Sequence, residues 1–100
     1  MGNPSKRKGS GFEREVVAAL MAAGIGAERV PLSGAAGGSH TGDVDLIIQG
    51  DKRKLECKRR RAGFKTLYGW LGTNFGLVVR DDHCEALVVL RLEDFARLVT

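Results

Sequence analysis

The sequence predicts one α/β domain with the element order αβββαββα. Two observations carry this prediction. Segments with apolar residues at helical spacing alternate with short apolar runs typical of strands, and turn-forming residues separate them. A chain of 100 residues is the length of a single domain, and 43% hydrophobic with 28% charged residues is a soluble globular composition. So small a domain leaves much of its surface exposed, and a dimer is a reasonable expectation.

The first helix is predicted to follow a flexible basic arm. Residues 1–9 carry no apolar periodicity and form the arm, whereas residues 10–100 form the domain. Ser10 fits a helix N-cap, and Glu13, three residues later, fits the partner position of a capping box. Gly24 is a typical helix end. The apolar side of the helix consists of Phe12, Val16, Val17, Leu20 and Ala23.

Three strands and a long loop are predicted next. Residues 27–32 form the first strand, and residues 33–42 are too rich in glycine for regular structure and form the loop. Residues 43–48 and 54–58 form a hairpin, joined by a charged turn at residues 50–53. Because alternate side chains of a strand share a face, residues two apart in this hairpin point the same way.

The C-terminal part is predicted to contain a helix, two strands and a closing helix. Residues 76–80 and 86–90 are apolar, β-branched runs separated by a polar turn, and residues 93–99 fit the closing helix. Trp70 lies off the apolar side of the preceding helix, so it is a core residue, a dimer contact or a base-stacking platform. That apolar side consists of Phe64, Leu67, Tyr68 and Leu71.

The charge balance favours a polyanionic partner, since the net charge is +4 and the isoelectric point is about 9.4. Cys57 and Cys84 form neither a disulfide framework nor a zinc-ligand spacing, which favours reduced thiols in a cytoplasmic protein. No apolar run reaches the ~18 residues of a membrane span. The chain also lacks a phosphate-binding loop and a Ser-His-Asp pattern. We therefore expect a protein with a polyanionic partner, no membrane partner and no small-molecule substrate.

Two carboxylates and a lysine in the hairpin suggest metal-dependent chemistry on a phosphate. Asp43 begins one strand, and Glu56 and Lys58 share a face of the next. Phosphodiester hydrolysis builds negative charge on oxygen, which Mg²⁺ neutralises while bound through only one or two carboxylates. Asp43 and Glu56 would supply these, with the main-chain carbonyl of Cys57 as a further oxygen. Lys58 would act on the attacking water or on the transition-state charge. The same residues also fit a solvated hairpin with cross-strand ion pairs.

Two other carboxylates compete for this site or complete it. Asp45 shares a face with Asp43, but Asp43 follows the glycine-rich loop at a strand end and is the preferred ligand. Glu13 heads the apolar side of the first helix, so its carboxylate needs a partner. That partner is the backbone of the capping box, or a metal site that Glu13 closes from above the sheet, or both.

Basic residues form two clusters near the proposed site. The clusters are Lys6, Arg7 and Lys8, and Lys58, Arg59, Arg60 and Arg61. A run of charge is usually only a solvated face, but these clusters flank the site, as phosphate-contacting groups do. No helix carries a pattern suited to reading a major groove, so recognition of DNA shape or backbone is expected.

Four segments together resemble a known family. They are Phe12-Glu13-Arg14-Glu15, Arg29-Val30-Pro31-Leu32-Ser33-Gly34, Gly42-Asp43-Val44 and Leu55-Glu56-Cys57-Lys58. The pattern is similar to that of the archaeal-type Holliday junction resolvases of the PD-(D/E)XK nuclease superfamily, from about Lys8 to the C-terminus. The Asp and Glu-x-Lys pieces are superfamily-wide, whereas the segments around Arg14 and Arg29 point to the resolvases. Gly42 stands where the motif has proline, and the chain is at the short end of the family.

The resemblance implies a restriction-endonuclease-like fold, with a mixed central sheet of about five strands flanked by helices. It also implies a metal site for Mg²⁺ or Mn²⁺, with Lys58 as the catalytic lysine and Ser33 contributing to catalysis. Arg14 and Arg29 would contact DNA. The acidic residues of the metal site would be Glu13, Asp43 and Glu56.

The function that follows is a metal-dependent, structure-selective DNA endonuclease that resolves four-way junctions by paired symmetric nicks. Symmetric nicks need two active sites related by a two-fold axis, hence a homodimer, and the apolar residues 86–90 and 92–99 would supply its interface. One alternative is another nuclease of the superfamily, acting on flaps, ends or specific duplex sites. The other is a non-catalytic DNA-binding dimer, against which Asp43 and Glu56 argue because phosphate binding alone does not require carboxylates.

Overall fold

The computed structural model describes residues 4–30 and 42–100, with side chains in 11–30 and 43–100. Its elements are α1 (Pro4–Ala22), β1 (Ala27–Arg29), β2 (Gly42–Ile48), β3 (Asp51–Cys57), α2 (Lys65–Leu71), β4 (Gly76–Val79), β5 (Leu87–Leu90) and α3 (Leu92–Leu98). This is the predicted order αβββαββα. Most of the predicted loop at residues 33–42, including Ser33, lies outside the described residues. None of the described helices is long and apolar enough to cross a membrane.

Helix α1 begins earlier than predicted. The N-cap expected at Ser10 is wrong, because the helix begins at Pro4 and Ser10 lies inside it. Proline is well tolerated in the first turn of a helix, and the Lys and Arg residues that follow it are good helix formers. The capping box with Glu13 is therefore not formed at a helix start. Residues 4–9, expected in the flexible arm, have helical backbone.

A tight turn sets the register of the hairpin formed by β2 and β3. Gln49 (φ 52°) and Gly50 (φ 85°) both have positive φ, as the central residues of a type I′ turn do. The twist of such a turn matches the twist of the flanking strands, so pairing starts directly at the turn. The register then runs to Asp43 opposite Glu56 near the far end of the hairpin. The position of the candidate site thus follows from the turn.

Helix α1 packs on one face of the sheet formed by β1, β2 and β3, and α3 packs against α1 and contributes Ala96 to the same core. The buried core consists of Val16, Leu20, Ile25, Val44, Leu46 and Ala96. Burying a side chain such as that of Val44 or Leu46 contributes about 1.5–3 kcal/mol. Because strand side chains alternate, the burial of Val44 and Leu46 turns Asp43 and Asp45 to the face that α1 does not cover. This uncovered face is called the open face below.

The described strands form two antiparallel sheets, one of β1, β2 and β3 and one of β4 and β5. The predicted single mixed sheet of about five strands is therefore wrong. Each pairing joins strands that are consecutive in sequence, which antiparallel connections allow at little cost. A single sheet would need pairing across the segment that contains α2, and the short strands β4 and β5, of four residues each, pair with each other instead.

Candidate active site

Two carboxylates at the far end of the hairpin lie directly opposite each other. Asp43 on β2 is the cross-strand partner of Glu56 on β3, and both side chains point to the open face. Like charges directly opposite each other destabilise a sheet. Lys54 offsets part of this repulsion, because its Nζ lies 3.9 Å from Oδ2 of Asp43. The arrangement favours the binding of additional positive charge at this end of the hairpin.

Asp45 has a different environment from Asp43. Its cross-strand partner is Lys54, and its Oδ2 lies 3.3 Å from Nζ of Lys52. Asp45 is therefore neutralised within the hairpin, nearer the turn, and faces a lysine rather than a carboxylate. The register favours Asp43 over Asp45 as the partner of Glu56 in a site with two carboxylates.

Glu13 is buried on the opposite side of the sheet. Its side chain is one of the core-facing groups of α1, with an exposed fraction of 4%, and Oε1 accepts a hydrogen bond of 3.3 Å from Nε of Arg29. Arg29 is the cross-strand partner of Val44, so its side chain also lies on the face covered by α1. The partner that the structure describes for Glu13 is Arg29, which neither predicted alternative named, and the ion pair compensates the buried charge of Glu13.

Cys57 lies where the charges of all three carboxylates act together. It is the last residue of β3, and its side chain packs against the core. Burial raises the pKa of the Cys57 thiol above its ordinary value, and the negative charges of Glu13, Asp43 and Glu56 raise this pKa further. Carboxylates from both faces of the sheet therefore concentrate negative potential at one strand end. That end is also where the backbone continues to Lys58.

The oxygen donors at this strand end fit a hard divalent cation. Within residues 4–30 and 42–100, no group of three His, Cys, Asp or Glu side chains is close enough to hold a metal. Mg²⁺ does not require such a group, because it binds through one or two carboxylates and keeps several waters. Asp43 and Glu56 supply two carboxylates on one face, and the main-chain carbonyl of Cys57 is adjacent in sequence to Glu56. The donor set contains the oxygen ligands that Mg²⁺ prefers.

The chain that leaves β3 enters a cleft rich in positive charge. Lys58, predicted as the end of the strand, follows the last strand residue and is exposed. It contributes to a cleft of about 550 Å³ between α1 and α2, called the basic cleft below. The basic cleft is lined by Phe12, Glu15, Lys58, Arg59, Arg60, Arg61, Ala62, Phe64, Lys65 and Tyr68. The second predicted basic cluster is therefore next to the paired carboxylates, at the end of the same strand.

The remaining predicted site residues are more scattered. Arg14 is exposed on α1, whereas Arg29 is only partly exposed and is engaged with Glu13. Three basic residues lie in the first part of α1, where the backbone is described but the side chains are not: Lys6, Arg7 and Lys8. Ser33 lies outside the described residues.

Two aromatic residues of α2 are largely exposed. Tyr68 is expected on the apolar side of the helix but is 75% exposed, and it lines the basic cleft. Trp70 is 60% exposed, which excludes a core role for it. Helical spacing alone does not distinguish Tyr68 from a core residue. The sequence signal that indicates an exposed position for Tyr68 beside basic side chains is its place shortly after the basic run at residues 58–61.

Comparison with known protein families connects this geometry to one of them. Residues 4–68 match the sequence model of the archaeal Holliday junction resolvases. The match covers more than half of the chain and contains α1, the whole hairpin of β2 and β3, and the residues of the basic cleft. The chain belongs to the archaeal Holliday junction resolvase family. No curated protein and no solved structure matches it.

Membership of the resolvase family assigns the chain to the nucleases, and branched DNA is the substrate class of that family. The matched segment includes Asp43, Glu56 and Lys58, and it ends at Tyr68. The paired carboxylates and the basic cleft therefore belong to the resolvase part of the chain. Strands β4 and β5 and helix α3 lie beyond the matched residues.

Proposed function

We propose that this resolvase is a divalent-metal-dependent, structure-selective endonuclease that resolves four-way DNA junctions by paired symmetric nicks as a homodimer. The observation that carries the proposal is the direct opposition of Asp43 and Glu56 at the end of the hairpin that leads into the basic cleft. Hydrolysis of a DNA backbone needs groups that hold a metal and groups that hold phosphates, and the two sets adjoin here.

Asp43 and Glu56 are proposed to hold Mg²⁺, for which Mn²⁺ can substitute, with the main-chain carbonyl of Cys57 as a further ligand. A bound Mg²⁺ neutralises charge on the phosphate oxygens and lowers the pKa of its bound water. The mutual repulsion of the two opposed carboxylates favours cation binding over an empty site. Glu13 is proposed to complete the acidic site by its charge from the core face of the sheet, where it pairs with Arg29, and not as a third carboxylate on the metal.

Lys58 is proposed as the catalytic lysine. It follows Glu56 by two residues and lines the basic cleft, so its ammonium group is available to a phosphate bound there. In this position its ammonium group orients the attacking water or stabilises the negative charge of the transition state, or its neutral amine accepts a proton from that water. Ser33 is proposed to contribute to catalysis from the segment before β2, as the resemblance to the family implies.

The DNA backbone is proposed to bind along α1 and the basic cleft. Contacts of basic side chains with phosphates fix the position of the duplex without reading its sequence, which suits an enzyme that recognises a branched shape. Arg29 has a second role as the partner of Glu13. The contacting residues are proposed to be Lys6, Arg7, Lys8, Arg14, Arg29, Arg59, Arg60 and Arg61.

A homodimer is supported by the exposed apolar surface of β4 and β5. Val78 and Val88 are cross-strand partners, and they are 70% and 63% exposed. A lone two-stranded hairpin is marginally stable in water, and no residue of β4 or β5 is fully buried. Pairing this surface with its copy would shield it and relate two active sites by a two-fold axis.

The proposed interface differs from the one expected from the sequence, because it includes β4 and leaves out most of α3. Helix α3 was expected to contribute its apolar side, but Leu92, Phe95 and Val99 pack against the core of the same chain. Leu98 is the apolar residue of α3 that remains well exposed. The surface of β4 and β5 is therefore the main candidate.

Nicking assays on matched DNA substrates test the proposal. Purified protein and Mg²⁺ are incubated with a labelled four-way junction, a linear duplex and a flap, and paired nicks confined to the junction are expected. Equal cutting of the duplex or the flap would favour another nuclease specificity of the superfamily. Tight junction binding without cutting, in Mg²⁺ and in Mn²⁺, would favour a non-catalytic DNA-binding dimer.

The matched pair Asp43→Asn and Asp45→Asn tests the assignment of the site. Asp43→Asn should bind the junction without cutting it, because it loses a metal ligand. Asp45→Asn should still cut, since Asp45 is neutralised by Lys52 within the hairpin. Cutting by Asp43→Asn, or equal loss in both variants, would contradict the proposed metal site.

A further inference from the structure

We infer that the basic cleft binds an unpaired nucleotide at the branch point, whose base stacks on the ring of Tyr68 while its phosphates contact the arginines of the cleft. The inference deepens the proposed function and rests on it for the identity of the DNA. It concerns a binding step, not the metal site, and it assigns a role to Tyr68, which lies on the side of the cleft formed by α2.

The shape of the basic cleft suits a ligand the size of a nucleotide. Its volume of about 550 Å³ lies within the range of small-ligand sites. One wall comes from Phe12 and Glu15 of α1, the opposite wall from α2 with Lys65 and Tyr68. The rim is the chain at residues 58–62, which leaves β3 directly beyond the paired carboxylates. A nucleotide in this cleft would therefore be a near neighbour of the candidate metal site.

The charge of the cleft identifies the ligand as an anion. Its lining combines five cationic side chains with a single carboxylate, that of Glu15. The five cations are all exposed and crowd into one short region, so they repel one another unless an anion is bound. The cations are Lys58, Arg59, Arg60, Arg61 and Lys65. Successive phosphates of a DNA strand are the anion that the proposed function supplies.

The aromatic rings indicate a base as well as phosphates. Phe12 and Phe64 are partly buried, whereas the ring of Tyr68 is 75% exposed beside the arginines. An exposed aromatic ring in a positively charged groove is the combination that proteins use for single-stranded nucleic acid. Bases within a duplex are covered by their neighbours in the stack, so they cannot use such a surface. The occupant is therefore a nucleotide that has left the stack, as strand exchange at a branch point permits.

Binding measurements without Mg²⁺ test the inference independently of cleavage. Fluorescence anisotropy gives the Kd for short oligothymidine and for a linear duplex, at fixed salt. Tyr68→Leu should weaken oligothymidine binding roughly 5-fold to 150-fold, the range of a lost base–aromatic stack. It should leave duplex binding unchanged, and Tyr68→Phe should retain oligothymidine binding. Trp70→Leu is the matched control and should not change either affinity, because Trp70 is also largely exposed, at 60%, but lies outside the cleft.

Three results would overturn the inference. Unchanged oligothymidine binding by Tyr68→Leu would exclude stacking, and equal losses on oligothymidine and duplex would indicate phosphate contacts or general loss of structure. Sedimentation of Tyr68→Leu is measured in parallel, since loss of a dimer would assign the exposed ring to an interface between copies. Quenching of 2-aminopurine placed at the branch point of a junction, present in the wild type and lost in Tyr68→Leu, would locate the base directly. If Tyr68→Leu selectively lost oligothymidine binding but the wild type nicked no junction, the inferred nucleotide site would stand and the proposed function would be rejected.

Discussion

The guanidinium of Arg29 lies 3.3 Å from the buried carboxylate of Glu13, and the two residues join α1 to β1 on the core side of the sheet. Arg29→Met would leave this carboxylate buried without its partner. We expect a loss of about 1–3 kcal/mol in the free energy of unfolding, below the usual cost for a fully buried pair because Arg29 is partly exposed. Urea denaturation of the variant and the wild type measures this difference in the free energy of unfolding.

A double-mutant cycle supplies the control for this ion pair. Glu13→Gln combined with Arg29→Met should cost less than the sum of the single changes, because the double variant holds no unpaired buried charge. Arg14→Met, at the neighbouring exposed arginine of α1, should stay within about 0.5 kcal/mol of the wild type. Additive losses would indicate that the two residues do not interact in solution.

The opposition of Asp43 and Glu56 predicts a stability change that does not depend on activity. Mg²⁺ should raise the melting temperature of the wild type, because a ligand that binds only the folded state stabilises it by mass action. Asp43→Asn should abolish this increase. It should not lower stability in the absence of Mg²⁺, since it removes a cross-strand repulsion. Asp45→Asn should keep the response to Mg²⁺. If the melting temperature of Asp45→Asn no longer rose with Mg²⁺, the assignment of the metal to Asp43 would be wrong.

Local signals in the sequence predicted the elements but not their assembly. Apolar spacing and turn residues are properties of neighbouring positions, so the order αβββαββα and a hairpin with Asp43 on one strand and Glu56 on the other could be predicted. The pairing of β4 and β5 into a separate sheet depends on contacts between distant segments, which no local pattern contains. The start of α1 at Pro4 was missed because serine is a favoured N-cap residue, so Ser10 fitted a helix start although it lies inside the helix.

The candidate site could be predicted for the same reason that the hairpin could. Asp43, Glu56 and Lys58 belong to one local unit, and strand alternation put Glu56 and Lys58 on one face. The pairing of Asp43 with Glu56 depends on a turn at Gln49 and Gly50, earlier in the chain than the predicted turn at residues 50–53. Glu13 was placed correctly as a carboxylate needing a partner, yet the partner is Arg29, a residue of another element. The role inferred for Tyr68 depends on the fold that brings α1 and α2 to either side of residues 58–62.

Glycine substitutions in a turn and in a helix should have opposite effects on stability. Gly50 has φ 85°, so Gly50→Ala puts a side chain into left-handed backbone and should cost about 1–2 kcal/mol. Gly69, inside α2, has open space around an added Cβ and no positive φ, so Gly69→Ala should stabilise by about 0.5–1 kcal/mol. Thermal unfolding of both variants measures the difference. Equal effects would indicate that the turn does not have the described backbone.

The exposed surface of β4 and β5 predicts the oligomeric state. The wild type should sediment as a dimer at micromolar concentration, and Val88→Lys should shift it toward monomer because it places a charge opposite the exposed Val78. Ile47→Lys is the control, at an apolar residue of β2 that is 46% exposed. A wild-type monomer, or dissociation by both variants alike, would remove this surface as the interface. A monomeric variant that still binds the junction should make single nicks in place of paired ones.

Cys57 reports on the electrostatics of the site. Because burial and three carboxylates raise its pKa, less of the thiol is ionised at mildly alkaline pH, and iodoacetamide should modify Cys57 more slowly than the exposed Cys84. Asp43→Asn should speed the modification of Cys57, since it removes one of the charges that oppose ionisation. Asp45→Asn should not, and mass spectrometry of the two modified peptides measures both rates.

The same raised pKa predicts how stability changes with pH. A thiol whose pKa is higher in the folded protein favours folding fully below the pKa that it has in the unfolded chain. This contribution is lost as the pH rises through the folded pKa of Cys57, because ionisation then drives unfolding. Cys57→Ala should therefore lose less stability than the wild type between neutral and alkaline pH. If stability falls equally with pH in the two proteins across this range, neither burial nor the neighbouring carboxylates raise the pKa of the Cys57 thiol on folding.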